Sequence, residues 1–265
     1  MLLRQEGVNP DKPSSDGQTP LSYAAQKGYE AVVRILLEQE KVNPDRSDNH
    51  GKTPLLYASH GGHLGIVKTL LARKEVNPDK PDHTGQTPLS EAAEKGHVEV
   101  VKILLGRPDV DPNKRSNYGG TPLSRAAWHG HKGVVKALLE HKEVDPDSQD
   151  NYGKTALQHA ASNGHEGVVK ILLGRKEVNP DGQDNEGQTP LFGAAEWGHD
   201  GVVKMLLARK EVAPNKPDGK GQTPLMLARF KSHKRVIELL EPKEAVESKP
   251  KRKVKRPRHR LVATL

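Results

Sequence analysis

The chain has 265 residues, a net charge of +8, only 33% hydrophobic and 3% aromatic residues, and no cysteine. That is thin for two conventional cores, and it excludes a disulfide framework and any thiolate metal site. The start, Met1-Leu2-Leu3-Arg4-Gln5, has no apolar run long enough for a signal peptide and no segment approaches a membrane span, so a cytoplasmic or nuclear protein is expected.

In chain order, residues 1–16 read as the remnant of a truncated unit. Leu2-Leu3 fall 34 residues before Leu36-Leu37, which places the first residues inside the second helix of a missing repeat. Either the chain is a piece of a longer protein, or the apolar side of its first unit is exposed, and self-association through residues 2–37 is the expectation. From residue 17 to 241 the dipeptide Thr-Pro recurs every 34 residues, at Thr19, Thr53, Thr87, Thr121, Thr189 and Thr223, with Thr155-Ala156 in the one gap. A fixed period of this length means a stacked array, whose units bury a modest aliphatic face on one another. In the unit Gly85 to Tyr118, Thr87 caps a helix and Pro88 takes its first position. Gly96 stops that helix in the left-handed conformation and His97 opens a second one through Val100, Val101, Leu104 and Leu105. Segments such as Val110-Asp111-Pro112-Asn113 then read as projecting loops, because proline cannot donate into a strand ladder. The last unit departs from the pattern with Arg229, Phe230, Lys231, Ser232, Lys234 and Arg235 and is expected to be a polar terminal cap.

Residues 242–265 form a basic tail. From Glu241 onward nine Lys or Arg face three Glu, so the segment 241–265 carries +6 of the net charge. It is too charged and proline-broken to fold alone. Lys251, Arg252, Lys253, Lys255, Arg256, Arg258 and Arg260 read as a nuclear import signal, a nonspecific nucleic-acid contact or a solubilising end.

The run Gly-x-Thr-Pro-Leu-x-x-Ala-Ala-x-x-Gly-His-x-x-Val-Val-Lys-x-Leu-Leu resembles the ankyrin repeat across about Gly17 to Leu240, in seven copies. It departs from that pattern where the family's His after Thr-Pro-Leu is replaced by Ser22, Leu56, Ser90, Ser124, Gln158, Phe192 and Met226. The close likeness between copies is similar to the long ankyrin arrays of fungal proteins, including those attached to nucleotide-binding sensor domains. The resemblance implies an all-α ankyrin-type solenoid with projecting hairpin loops.

On a helical wheel Leu21, Ala24 and Ala25 share one face, while Tyr23, Gln26 and Lys27 lie opposite, and these outward positions vary from copy to copy. Among them His60, His129 and His159 vary by copy and are expected to face outward. Of nine aromatic residues, Tyr23, Tyr57, Trp128, Trp197 and Phe230 fall on this face, and Tyr118 and Tyr152 at loop tips. Drift does not send the scarcest apolar side chains toward water, and Trp and Tyr dominate binding energy at interfaces. The resemblance implies that a protein partner is met by this face and the loop tips together. The candidate contact residues are Tyr57, Tyr118, Arg125, Trp128, His129, Tyr152, His159 and Trp197.

Other signals point away from chemistry. His63, His97, His131, His165, His199 and His233 occupy one slot, with Tyr29 in the first copy. Equivalent side chains of stacked helices sit about 8–10 Å apart and cannot share one metal ion, so these residues are expected to be structural. No phosphate-binding Gly-rich loop, Gly-x-Ser-x-Gly or His-Glu-x-x-His occurs. No catalytic residue, metal or cofactor is therefore expected. Lys68, Lys102, Lys136, Lys170 and Lys204 form a stripe, but Glu38, Glu40, Glu75 and Glu143 lie close by, as on a solvated face of mixed sign. The reading is a non-enzymatic protein-interaction module. The rivals are a nucleus-associated regulator that uses the tail for import or nucleic-acid contact, and the sensor segment of a larger nucleotide-binding switch protein.

Overall fold

A computed structural model describes residues 9–241. Fourteen α-helices occupy the described residues and no strand is found among them. They form seven antiparallel pairs: α1 (Pro20–Lys27) with α2 (Glu30–Leu37), α3 (Pro54–Gly61) with α4 (Leu64–Leu71), α5 (Pro88–Lys95) with α6 (Val98–Leu105), and α7 (Pro122–Trp128) with α8 (Lys132–Glu140). The series continues with α9 (Ala156–Ser162) and α10 (Glu166–Leu173), α11 (Pro190–Glu196) and α12 (Asp200–Leu207), and α13 (Pro224–Phe230) and α14 (Lys234–Leu240). Odd-numbered helices pack on odd and even on even, so two rows run the length of the array.

Each first helix begins as the sequence requires. The threonine before it accepts a hydrogen bond from the third residue on, as Thr121 Oγ1 does from the Ser124 amide at 3.2 Å, satisfying one of the free N–H groups at the helix start. Thr155 shows that the proline is dispensable, since Ala156 follows it and the capped helix still forms. The helix is kept to two turns by a glycine or its neighbour in the left-handed region, such as Gly96 at φ 81°. The core is aliphatic throughout: Leu21, Ala25, Val67, Leu104, Val135, Leu138, Leu172 and Val203 are fully buried. Phe192 is the one aromatic among the largest buried side chains.

Two ladders tie consecutive units. In the first, Nε2 of the slot histidine meets a backbone carbonyl of the preceding unit: His97 with His60 at 2.9 Å, His131 with Glu94 at 2.7 Å, His165 with Trp128 at 2.8 Å and His233 with Glu196 at 2.9 Å. A carbonyl only accepts, so Nε2 carries the proton and the histidines are fixed in the structural role expected of them. In the second, loop tips join through single backbone rungs, as in Asn151 N–H to Tyr118 O at 3.1 Å and Asn185 N–H to Tyr152 O at 3.0 Å. Arg73 and Arg209 also donate to Leu37 O and Leu173 O, the carbonyls that end the previous unit's second helix.

A third row is interrupted. Asp11 pairs with Arg46, Asp45 with Lys80, Asp79 with Lys114 and Asp181 with Lys216, each across one junction. For Asp147 the slot 35 residues on, where the others have a cation, holds Gly182. Burial holds the Asp147 carboxyl above the usual carboxylate range, its bond from the Asn179 amide works against this, and Asp145 adds to the rise. A raised carboxylate favours folding below its ordinary pKa and loses that contribution as pH climbs through the raised value. Gly182 is not in the left-handed conformation and a Cβ there meets only ordinary contacts, the nearest at 3.5 Å. Gly182→Lys is therefore expected to raise stability at neutral pH by about 1 kcal/mol, through lost unfolded-state entropy and a partly exposed ion pair. Urea titrations at pH 4 and pH 7 check this: the gain is larger at pH 7, and an equal gain at both leaves only the entropy.

The two ends differ from the interior. Val32 is 45% exposed, whereas its counterparts Ile66, Val100, Val134, Val168, Val202 and Val236 are at most 2% exposed. Among the described residues nothing covers this side of the first unit. The last unit exposes Arg229, Lys231, Ser232, Lys234 and Arg235, as a polar cap does, but apolar side chains stand exposed beside them. Met226 is 54% and Phe230 80% exposed, although Ser22, Leu56, Ser90, Ser124, Gln158 and Phe192, in the Met226 slot, are buried by the unit that follows each. Residues 1–8 and the whole basic tail, including Lys251, Arg252, Lys253, Lys255, Arg256, Arg258 and Arg260, lie outside the described residues.

Candidate partner-binding surface

The inner row of helices and the loop tips before α7, α9 and α11 enclose one cleft of about 510 Å³. Its first wall is the row of loop tips. Tyr118, Tyr152 and Glu186 occupy the same slot, immediately before Gly119, Gly153 and Gly187, in three successive units. The facing wall comes from α7 and its end, with Ser124, Arg125, Trp128 and His129, and the floor from His159 on α9 and Asp150.

The floor is held by a closed set of hydrogen bonds. His159 Nε2 lies 2.9 Å from Asp150 Oδ2, and Asp150 Oδ1 accepts from the amides of Tyr152 and Lys154. Burial acts to raise the Asp150 carboxyl, but the His159 bond and those amides bring it below the ordinary range. The Trp128 ring tilts over His159 with centroids 5.0 Å apart. This corrects the outward placement expected for His159: only 7% of it is exposed, because the loop carboxylate draws the imidazole inward and Trp128 covers it. Glu91, in the same slot of another copy, is likewise buried, with Oε2 2.6 Å from His60 Nδ1. Burial lowers the His129 pKa, Glu94 opposes this, and the His131 ring stacked 6.0 Å away lowers it further.

Two ion pairs stand at the rim. Arg125 lies 3.6 Å from Glu94 and Lys154 reaches Asp184 at 3.8 Å. Among the described residues the exposed Glu186 carboxylate bonds only to the Gln188 side-chain amide, at 3.1 Å, and it brings the acids lining the cleft to three against two permanent cations.

Of the candidate residues, Tyr118, Arg125, Trp128, His129, Tyr152 and His159 meet at this cleft. Tyr57 and Trp197 do not line it. Tyr57 is half-buried and donates to Asp48 Oδ2 at 2.6 Å, and burial together with that bond pushes its phenol well above the usual range. Trp197 is 60% exposed at the end of α11.

The residues that open the cleft were not read from the sequence. The slot after the loop glycine holds Gln18, Lys52, Gln86, Lys154, Gln188 and Gln222, but Gly120 in the fourth unit. Ser116, like Ser14 in the first unit, stands where an aspartate braces the other tips, as Asp48, Asp82, Asp150, Asp184 and Asp218 do by accepting two amides each. Arg115 substitutes by donating to Gly119 O at 3.1 Å and Gln149 O at 2.8 Å. Comparing copies slot by slot reveals both exceptions.

A family model described as "Ankyrin repeats (3 copies)" matches residues 1–82, 62–150, 142–218 and 179–253. The chain belongs to the ankyrin-repeat family. Members of this family are generally protein–protein interaction modules and typically non-catalytic. No curated protein matches this ankyrin-repeat chain.

Proposed function

We propose that the chain is a non-enzymatic module that binds a protein partner through its inner helix face and loop tips, centred on the fourth to sixth units. One observation carries this reading. Between the two ends the aliphatic core is closed, yet Trp128, Trp197, Tyr118 and Tyr152 are 48%, 60%, 60% and 64% exposed, and three of the four meet at one cleft. Tryptophan and tyrosine at the centre of an interface typically cost about 2 kcal/mol or more on truncation. In a pull-down from cell extract, Trp128→Ala/Trp197→Ala is expected to lose the proteins the native chain retains. Retention of the same proteins by the folded double variant would sink the proposal.

A further inference from the structure

We infer that the cleft takes an extended, proline-containing segment of the partner with the spacing Pro-x-x-Pro-x-x-Lys or Arg, read in either chain direction. The inference rests on the inner-face reading and adds the chemistry of the occupant. Tyr118, Tyr152 and Glu186 are one slot repeated three times, so they stand in a row at the spacing of stacked helices, about 8–10 Å. Polyproline II rises about 3.1 Å per residue with three residues per turn, so every third side chain returns to the same face about 9 Å on. The two periods match. Prolines three apart fall on the Tyr118 and Tyr152 rings, and the next position in the series falls on Glu186.

The surface suits such a chain in three further ways. Both tyrosine rings are more than half exposed, and Trp128 forms the opposite wall, giving the aromatic-lined groove on which proline rings pack. Polyproline II has no internal hydrogen bonds, so its carbonyls require donors along the groove, which the Arg125 and Lys154 side chains present. Because those two cations already face Glu94 and Asp184, the uncompensated charge on the row is the Glu186 carboxylate, which selects a basic residue.

The test is selection of a random dodecapeptide display library on the native chain, on Gly120→Gln, on Trp128→Ala and on Glu186→Lys. Gly120→Gln restores the residue of neighbouring copies; Gly120 is not in the left-handed region and the nearest atom to a Cβ is Ser124 Oγ at 3.3 Å, so the fold is retained while the cleft fills. The expected result is enrichment of prolines three apart with Lys or Arg three further on, binding about tenfold or more weaker to Gly120→Gln and Trp128→Ala, and a switch from basic to acidic at the terminal position with Glu186→Lys. Peptides that need the cleft but lack the proline spacing would overturn this inference and leave the inner-face reading standing. Peptides indifferent to both cleft variants would overturn both. No enrichment on the native chain would overturn the inference.

Discussion

Leu138→Ala is expected to lower the unfolding free energy by about 3–4 kcal/mol and to split a single transition into two. Leu138 is fully buried on α8, in the middle unit of seven, and α8 packs on α6 on one side and α10 on the other. A fully buried leucine truncated to alanine typically costs about 2–5 kcal/mol, and the helices here are too short to stand without their neighbours. Position adds the second effect. In a one-dimensional stack each unit touches only the next, so weakening the centre uncouples two half-arrays that then melt separately. Urea unfolding followed by tryptophan fluorescence reports both halves, since Trp128 lies in the fourth unit and Trp197 in the sixth. Leu240→Ala on the terminal helix is expected to cost less and to keep one transition. A native-like midpoint for Leu138→Ala would contradict the packing described.

Gly96→Ala is expected to cost about 3–4 kcal/mol, well above the usual price of a surface substitution. Two causes add. At φ 81° a Cβ is strained by about 1–2 kcal/mol, and the new atom would lie 2.7 Å from Nδ1 of His131. The ring must move, breaking its 2.7 Å bond to Glu94 O and leaving a carbonyl near the junction without a partner. Gly221→Ala separates the two, because Gly221 has φ 78° but nothing within 4 Å of a Cβ. It is expected to show the backbone strain alone, about 1–2 kcal/mol. Equal losses at the two sites would show that the histidine ladder contributes little. Ser232 already points the same way. It occupies the Gly96 slot of the last unit at φ 60° and is the one non-glycine residue of positive φ among the described residues, at a slot where no further slot histidine lies among those residues.

Much of the architecture is legible in the sequence because it depends on local chemistry repeated many times. Thr19 and its counterparts announce helix starts through a capping hydroxyl, and Gly28 and Gly96 announce stops through a left-handed φ. Neither needs knowledge of distant contacts. The histidine slot is also readable as structural from its spacing, although its carbonyl partner 37 residues back is not. What escaped is set by tertiary contact. The wheel places His159 and Glu91 outward, and it is right about the helix face. It cannot know that Asp150 reaches forward nine residues to His159, or that His60 covers Glu91 from the preceding unit. Met226 reads as an ordinary variable position until the burial of its six counterparts shows that this slot belongs to a junction. The cleft depends on an absence, the missing side chain at Gly120, which a search for conspicuous residues passes over.

The account turns on a division of labour in which aliphatic side chains hold the array and exposed rings serve recognition. Equilibrium unfolding of the Trp128→Ala/Trp197→Ala protein tests this most directly. Trp128 rests on His159 by one face and Trp197 is 60% exposed, so the pair is expected to cost only about 1–2 kcal/mol in total, against about 3–5 kcal/mol for each buried tryptophan. A loss of about 6 kcal/mol or more would show that the rings hold the array together and would contradict the assignment of this surface to binding.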